Sequence, residues 1–94
     1  MAEQTKTSNL RGLIAQGIVA MPGIPNASMA RQVEQAGFDA VYISGAGLAN
    51  CTAGLPDVGL LTLNEVATLA GFIAHAVKIP AIVDADTGFG GAEN

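Results

Sequence analysis

The sequence predicts an α/β fold in which parallel strands are joined by crossover helices, and three observations carry that expectation. Helical and strand signals alternate along the chain in the order helix, strand, helix, strand, helix, strand. The segment FDAVYIS, residues 38–44, is mostly apolar on both alternating faces and rich in β-branched and aromatic residues. Such a strand is covered on both sides, as in a parallel sheet flanked by helices. Finally, every chemically suggestive group falls just past a strand's C-terminal end: residues 22–26 after the first, 44–57 after the second and 84–90 after the third. That is the face on which parallel sheets and (β/α)8 barrels build their sites.

Each element follows from local signals. SNLRGLIAQG reads as a short helix, with Ser8 as a possible N-cap and Gly17 at its stop. The apolar run closed by Pro22 and Gly23 reads as a strand over residues 17–21. In IPNASMARQVEQAGF, Asn26 is the N-cap, Ala27, Ala30, Val33 and Ala36 share one face, and Gly37 stops the helix. After the strand FDAVYIS, the glycine-rich stretch over residues 44–61 reads as a long loop, a length that usually signals function. TLNE then supplies a capping box between Thr62 and Glu65, with Leu63, Val66, Ala70, Ile73 and Val77 on the apolar stripe. Pro80 ends that helix, PAIVD is the third strand, and TGFGGAEN begins the next connection.

Composition bounds the function. The 94 residues amount to one domain at most; half are hydrophobic, 13% are charged and 12 are glycine, a balance opposite to that of a disordered chain. A net charge of −4 with no basic cluster argues against nucleic acid as a partner. The polar N-terminus carries no signal-peptide core, and no apolar run reaches membrane-spanning length. The single Cys51 rules out an internal disulfide framework and suits a reducing compartment. The expectation is a soluble, cytoplasmic protein that meets neither nucleic acid nor membrane and acts on a small-molecule substrate.

Two constellations carry chemistry. In VDADTGFG, Asp84 and Asp86 project to one side if the extended backbone persists through Ala85. Two bare carboxylates this close repel unless a cation sits between them. Mg²⁺ suits the arrangement, because it takes one or two protein carboxylates and fills its other positions with water and substrate oxygens. The alternative is that one aspartate merely caps the following turn; the position at a strand end favours the metal. In SGAG, Gly45 and Gly47 permit a sharp turn that exposes N–H groups to a carboxylate or enolate oxygen. The competing reading is a plain tight turn. A dinucleotide fingerprint fails here, since Asn50 stands where its third glycine belongs.

The remaining polar residues read as structural. His75 lies off the apolar stripe of its helix and faces solvent, and nothing near Cys51 would activate its thiol. Tyr42 reads as core. Asp57, after Leu55-Pro56, is a turn residue or a partner of the metal site, and the residues alone favour the turn.

Taken together, MPGIPNASMARQVEQAGFDAVYISGAG, AGLPDVGLLTLNEV and IPAIVDADTGFGGAEN resemble the N-terminal third of the isocitrate lyase and phosphoenolpyruvate mutase superfamily. Within it, the likeness is greatest to the bacterial 2-methylisocitrate lyases, and it covers roughly residues 17–94. It implies a (β/α)8 barrel of the phosphoenolpyruvate/pyruvate-binding type, of which residues 1–94 form the N-terminal segment of a single domain, stopping after the third strand. By the same resemblance Ser44, Gly45 and Ala46 bind the pyruvate-like part of the substrate through backbone N–H groups, Asp84 and Asp86 hold Mg²⁺, and Asp57 is an acidic catalytic residue close to the metal. The implied reaction is aldol-type cleavage of 2-methylisocitrate to pyruvate and succinate, in the methylcitrate cycle of propionate catabolism. Mg²⁺ would act as Lewis acid and template.

Oxaloacetate decarboxylases and phosphonopyruvate- or phosphoenolpyruvate-processing enzymes share these stretches, so they stay open as alternatives. So does a non-catalytic remnant or assembly partner. The superfamily's K-[KR]-C-G-H loop, whose cysteine is its acid/base, has no counterpart within the 94 residues, nor have its later glutamate and arginines; Cys51 falls in a different loop. The expectation is that these 94 residues alone have no appreciable lyase activity and expose an apolar edge that drives association. For the whole protein the resemblance implies a homo-oligomer, commonly a tetramer.

Overall fold

The computed structural model of the protein describes residues 5–93. Helix α1 (Lys6–Gln16) is capped by Thr5, whose hydroxyl accepts from the Ser8 N–H at 3.1 Å. Ser8 is therefore inside the helix and not its cap, because a polar residue three positions earlier reaches its amide first. No residue of α1 is buried. The helix is tied down through Lys6, whose ammonium donates to the carbonyls of Ala74 and Val77, the latter at 2.7 Å. A cation at those carbonyls also complements the negative end of the helix it meets.

The first strand is displaced from its expected place. Residues 17–21 form no strand; β1 is the two-residue Gly23–Ile24, pairing in parallel with Tyr42 and Ile43 of β2 (Val41–Ile43). Continued backward, that register sets residues 17–20 opposite 36–39, which form the end and turn of the intervening helix. An apolar run without a partner strand stays irregular, and Ile18 is fully exposed. That helix, α2 (Ala27–Gln35), starts as expected: the Asn26 Oδ1 accepts from the Met29 N–H at 2.9 Å. Ala30 is buried and Val33 packs on the core, whereas Ala36 is the exposed C-cap. Strand β2 is shorter than the segment 38–44, since Phe38 and Asp39 lie in the exposed turn before it.

Residues 44–61 are not simply a loop. Residues 45–46 are α-helical and Gly47–Ala53 form a π-helix, closed by Gly54 in the left-handed region at φ 70°. Leu48 and Ala49 of this segment are buried, so an apolar anchor holds in helical form a run whose glycines read as irregular. Helix α3 (Leu63–Ala76) carries both bonds of the Thr62–Glu65 capping box, at 3.2 and 2.9 Å. Val66, Ile73 and Val77 are buried, Leu69 and Ala70 pack beside them, and Leu63 faces outward. Strand β3 (Ala81–Val83) pairs in parallel with β2, Val41 opposite Ala81 and Ile43 opposite Val83.

The sheet order is β1-β2-β3, all parallel. Strands that follow one another without a reversal, with both crossover helices on one face, are the arrangement of a (β/α)8 barrel rather than of a doubly wound sheet. The core lies between that face, with Ile24, Val41 and Ile43, and the apolar stripes of α2 and α3. Each such side chain contributes about 1.5–3 kcal/mol by leaving water. Glu34 fastens the layers, its Oε2 accepting from the N–H groups of Lys78 and Ile79 at 2.6 and 3.1 Å. The opposite parity, Tyr42 and Ile82, faces away from the helices, and alternation carries it forward to Asp84. Among the described residues no helix is long and apolar enough to cross a membrane.

Candidate active site at the strand ends

Past the C-terminal ends of β2 and β3 lies a cavity of about 390 Å³. Gly45 and Ala49 from the helical segment, residues 57–61, Val66, and Asp84, Asp86, Thr87 and Phe89 line it. Four residues singled out in the sequence, Gly45, Asp57, Asp84 and Asp86, thus meet in one place. Ser44 and Ala46 flank Gly45 without lining the cavity.

Asp84 continues the ladder, its N–H donating to the Ile43 carbonyl at 3.0 Å. Beyond it the strand stops. Asp84 Oδ1 accepts from the Asp86 N–H at 2.9 Å, and Asp86 sits in the left-handed region at φ 49°. The expected extended run through Ala85 is therefore absent, and the two carboxylates do not share a strand face. A turn made by Asp84's own side chain folds Asp86 back, and both reach the cavity by that route. The two readings of this motif are compatible: one oxygen of Asp84 caps the turn, while Oδ2 points toward Gly45. A Cβ on Gly45 would lie 3.0 Å from that Oδ2 and 3.2 Å from Cγ, so only glycine leaves the carboxylate its place. Asp86 turns its Oδ2 toward Gly59, where an added Cβ would stand 3.9 Å away.

SGAG is the start of a helical turn rather than an open loop. Ser44 Oγ accepts from the Gly47 N–H at 3.0 Å, and the Ser44 carbonyl accepts from Leu48 at 2.9 Å. Ser44 therefore acts as N-cap, and the amides of Gly45 and Ala46 belong to a first turn, which has no acceptor of its own within a helix.

Tyr42, read from the sequence as core, stands instead on the site side of the sheet. Partial burial, the nearby Asp84 charge and a hydrogen bond to that carboxylate together raise the phenol pKa, so it keeps its proton. The signal was its parity: Tyr42 alternates with the buried Val41 and Ile43 and shares its face with Ile82. Cys51 and His75 are exposed and lie away from the cavity; the His75 Nδ1 pairs with the Gly71 carbonyl at 2.7 Å.

Among the described residues no three His, Cys, Asp or Glu side chains cluster closely enough to hold a metal by themselves. The donor set fits Mg²⁺ and not an all-protein cage: two hard carboxylates at a cavity mouth leave positions for water and substrate oxygens.

Residues 10–94 match the family model described as phosphoenolpyruvate phosphomutase. The chain is 51% identical over 72 residues to the 2-methylisocitrate lyase of Shewanella oneidensis, covering 77% of this chain and 25% of that enzyme. It superposes on the crystal structure of a 2,3-dimethylmalate lyase, a PEP mutase/isocitrate lyase superfamily member, with TM-score 0.85 at 36% identity. That match covers 96% of this chain and 33% of the other. A phosphonopyruvate hydrolase in complex with oxalate and Mg²⁺ matches with TM-score 0.84 at 34% identity, covering 93% of this chain and 31% of the other. The chain spans about a quarter to a third of the length of these relatives. The chain belongs to the phosphoenolpyruvate phosphomutase family, and its three parallel strands are part of the (β/α)8 barrel of the PEP mutase/isocitrate lyase superfamily.

Proposed function

We propose that this chain is the N-terminal segment of a Mg²⁺-dependent carbon–carbon lyase that cleaves a 2-hydroxy tricarboxylate, 2-methylisocitrate, into pyruvate and succinate. The observation that carries the reading is the meeting of Gly45, Asp57, Asp84 and Asp86 on one cavity at the strand ends. Identity to a 2-methylisocitrate lyase supports the choice of reaction. The oxalate and Mg²⁺ of the phosphonopyruvate hydrolase complex support the ligand class. The protein acts in the cytoplasm, and as a homo-oligomer when its barrel is whole.

Asp84 and Asp86 hold the metal, with Asp84 oriented by its bond to the Asp86 amide and by the Tyr42 phenol. When bound, Mg²⁺ supplies Lewis-acid polarisation of the keto-acid oxygens and orients them. Ser44 fixes the turn from which the Gly45 and Ala46 amides receive the substrate carboxylate. Asp57, on the cavity wall, accepts a proton or hydrogen bond beside the metal. In the cleavage the hydroxyl proton leaves, the bond from the carbinol carbon breaks, and the carbinol carbon becomes the ketone of pyruvate. The electron pair stays on the succinate fragment, which takes up a proton.

The test is pyruvate and succinate formation from 2-methylisocitrate by the product of the complete reading frame. Turnover should require Mg²⁺ and fall by at least about a hundredfold in Asp84→Ala. Polypeptide 1–94 should show none. Turnover that survives chelation, or survives Asp84→Ala, removes the reading. A second reading, phosphonopyruvate or phosphoenolpyruvate chemistry, is favoured by the description of the matched family model, and the same assay with phosphonopyruvate separates the two.

A further inference from the structure

The turn that follows β2, the middle strand, is gripped from both sides. Gly45 and Gly47 keep helical backbone without a positive φ, so space and not conformation calls for glycine at both. Gly45 faces the Asp84 carboxylate beyond β3. Gly47 faces Pro25 beyond β1: a Cβ there would stand 3.1 Å from the Pro25 Cα and Cβ alike, and 3.3 Å from the Ser44 Cβ. Pro25 lies between β1 and the Asn26 cap of α2, so its rigid ring and fixed backbone leave it little freedom to give way. A second tie reaches the same residue, where the Thr52 hydroxyl donates to the Pro25 carbonyl at 3.0 Å. The π-helix makes this double contact possible, because its winding stacks residues five apart, whereas an α-helix would turn Gly47 and Thr52 about 140° from each other. Thr52 itself lies outside the cavity, so it acts there only through that bond. We propose that Thr52 is a positioning residue: through the Pro25 carbonyl it holds the π-helical segment against the end of β1 and so fixes the first-turn amides of Gly45 and Ala46 beside the cavity. The inference rests on the functional reading above, which makes those amides the carboxylate cradle, and it adds what keeps them in place.

Oxalate is titrated at saturating Mg²⁺ into the product of the complete reading frame and into its variants. Thr52→Val keeps the shape and removes the donor; it should weaken oxalate binding about fivefold, the effect of one hydrogen bond. Thr52→Ser keeps the hydroxyl and should restore the affinity. Thr68→Val removes the same kind of bond within α3, to the Asn64 carbonyl, and should leave oxalate binding unchanged. Gly47→Ala forces the segment off Pro25 without touching the Thr52 hydroxyl and should weaken binding as well. In Thr52→Val the Gly47 and Leu48 amides, both bonded to Ser44, should exchange hydrogen faster while α3 keeps its protection. Binding undiminished in Thr52→Val or Gly47→Ala, an equal loss in Thr52→Ser or Thr68→Val, or unchanged exchange at Gly47 and Leu48 overturns the clamp and leaves the lyase reading standing. Absence of Mg²⁺-dependent oxalate binding by the unaltered protein removes both.

Discussion

Gly45 leaves room for the Asp84 carboxylate that any larger residue would crowd. The Gly45→Ala methyl group would press on Asp84 Oδ2 at 3.0 Å, and the carboxylate must move. The expected outcome is loss of Mg²⁺ binding with little change in thermal unfolding, read by metal titration and calorimetry on the same samples. Asn26 shows a purely structural effect: Asn26→Ala removes the acceptor for the Met29 amide and should cost about 1 kcal/mol by chemical denaturation. Glu65 adds a pH dependence. Its bonds to the Thr62 backbone and side chain lower its pKa, so its stabilising effect is complete above the ordinary glutamate range and fades as pH falls through the lowered value. Melting temperatures of the protein and of Glu65→Gln should therefore converge on acidification, and a difference that stays constant would contradict the assignment. At this scale the sequence was informative where a side chain bonds to nearby backbone, as at Asn26 and Thr62. It was misleading at Tyr42, because the face a strand residue takes depends on which parity the helices cover.

Elements were legible in proportion to how local their causes are. Helices α2 and α3 carry their own caps and stripes, and both appear where those signals put them. Strand β1 does not, because pairing with β2 fixes its position, and a register between distant residues leaves no mark on a short apolar run. The π-helix over Gly47–Ala53 was hidden for a related reason: its glycines suggest a loop, and burial of Leu48 and Ala49 decides otherwise. The same holds for Asp84 and Asp86, whose convergence was anticipated through an extended strand and comes about through a turn. Glu34 illustrates a link between elements that spacing cannot show. Glu34→Ala should raise hydrogen-exchange rates at the Lys78 and Ile79 amides ahead of those in α3, and unchanged protection there would deny the staple its role.

At the scale of the sheet, both edges are unpaired among the described residues, and Val83 is half-exposed on the face the helices cover elsewhere. Polypeptide 1–94 should accordingly sediment as associated species rather than as monomer. The candidate site lies at the strand ends, and the proposed function makes Asp84 and Asp86 its metal-binding pair and the turn at Gly45 its keto-acid cradle. Mg²⁺ titration in the presence of oxalate, on the protein and on Asp84→Asn, tests that claim most directly. The account predicts oxalate binding that needs Mg²⁺ and vanishes in the variant; oxalate binding without Mg²⁺, or undiminished in Asp84→Asn, would contradict it.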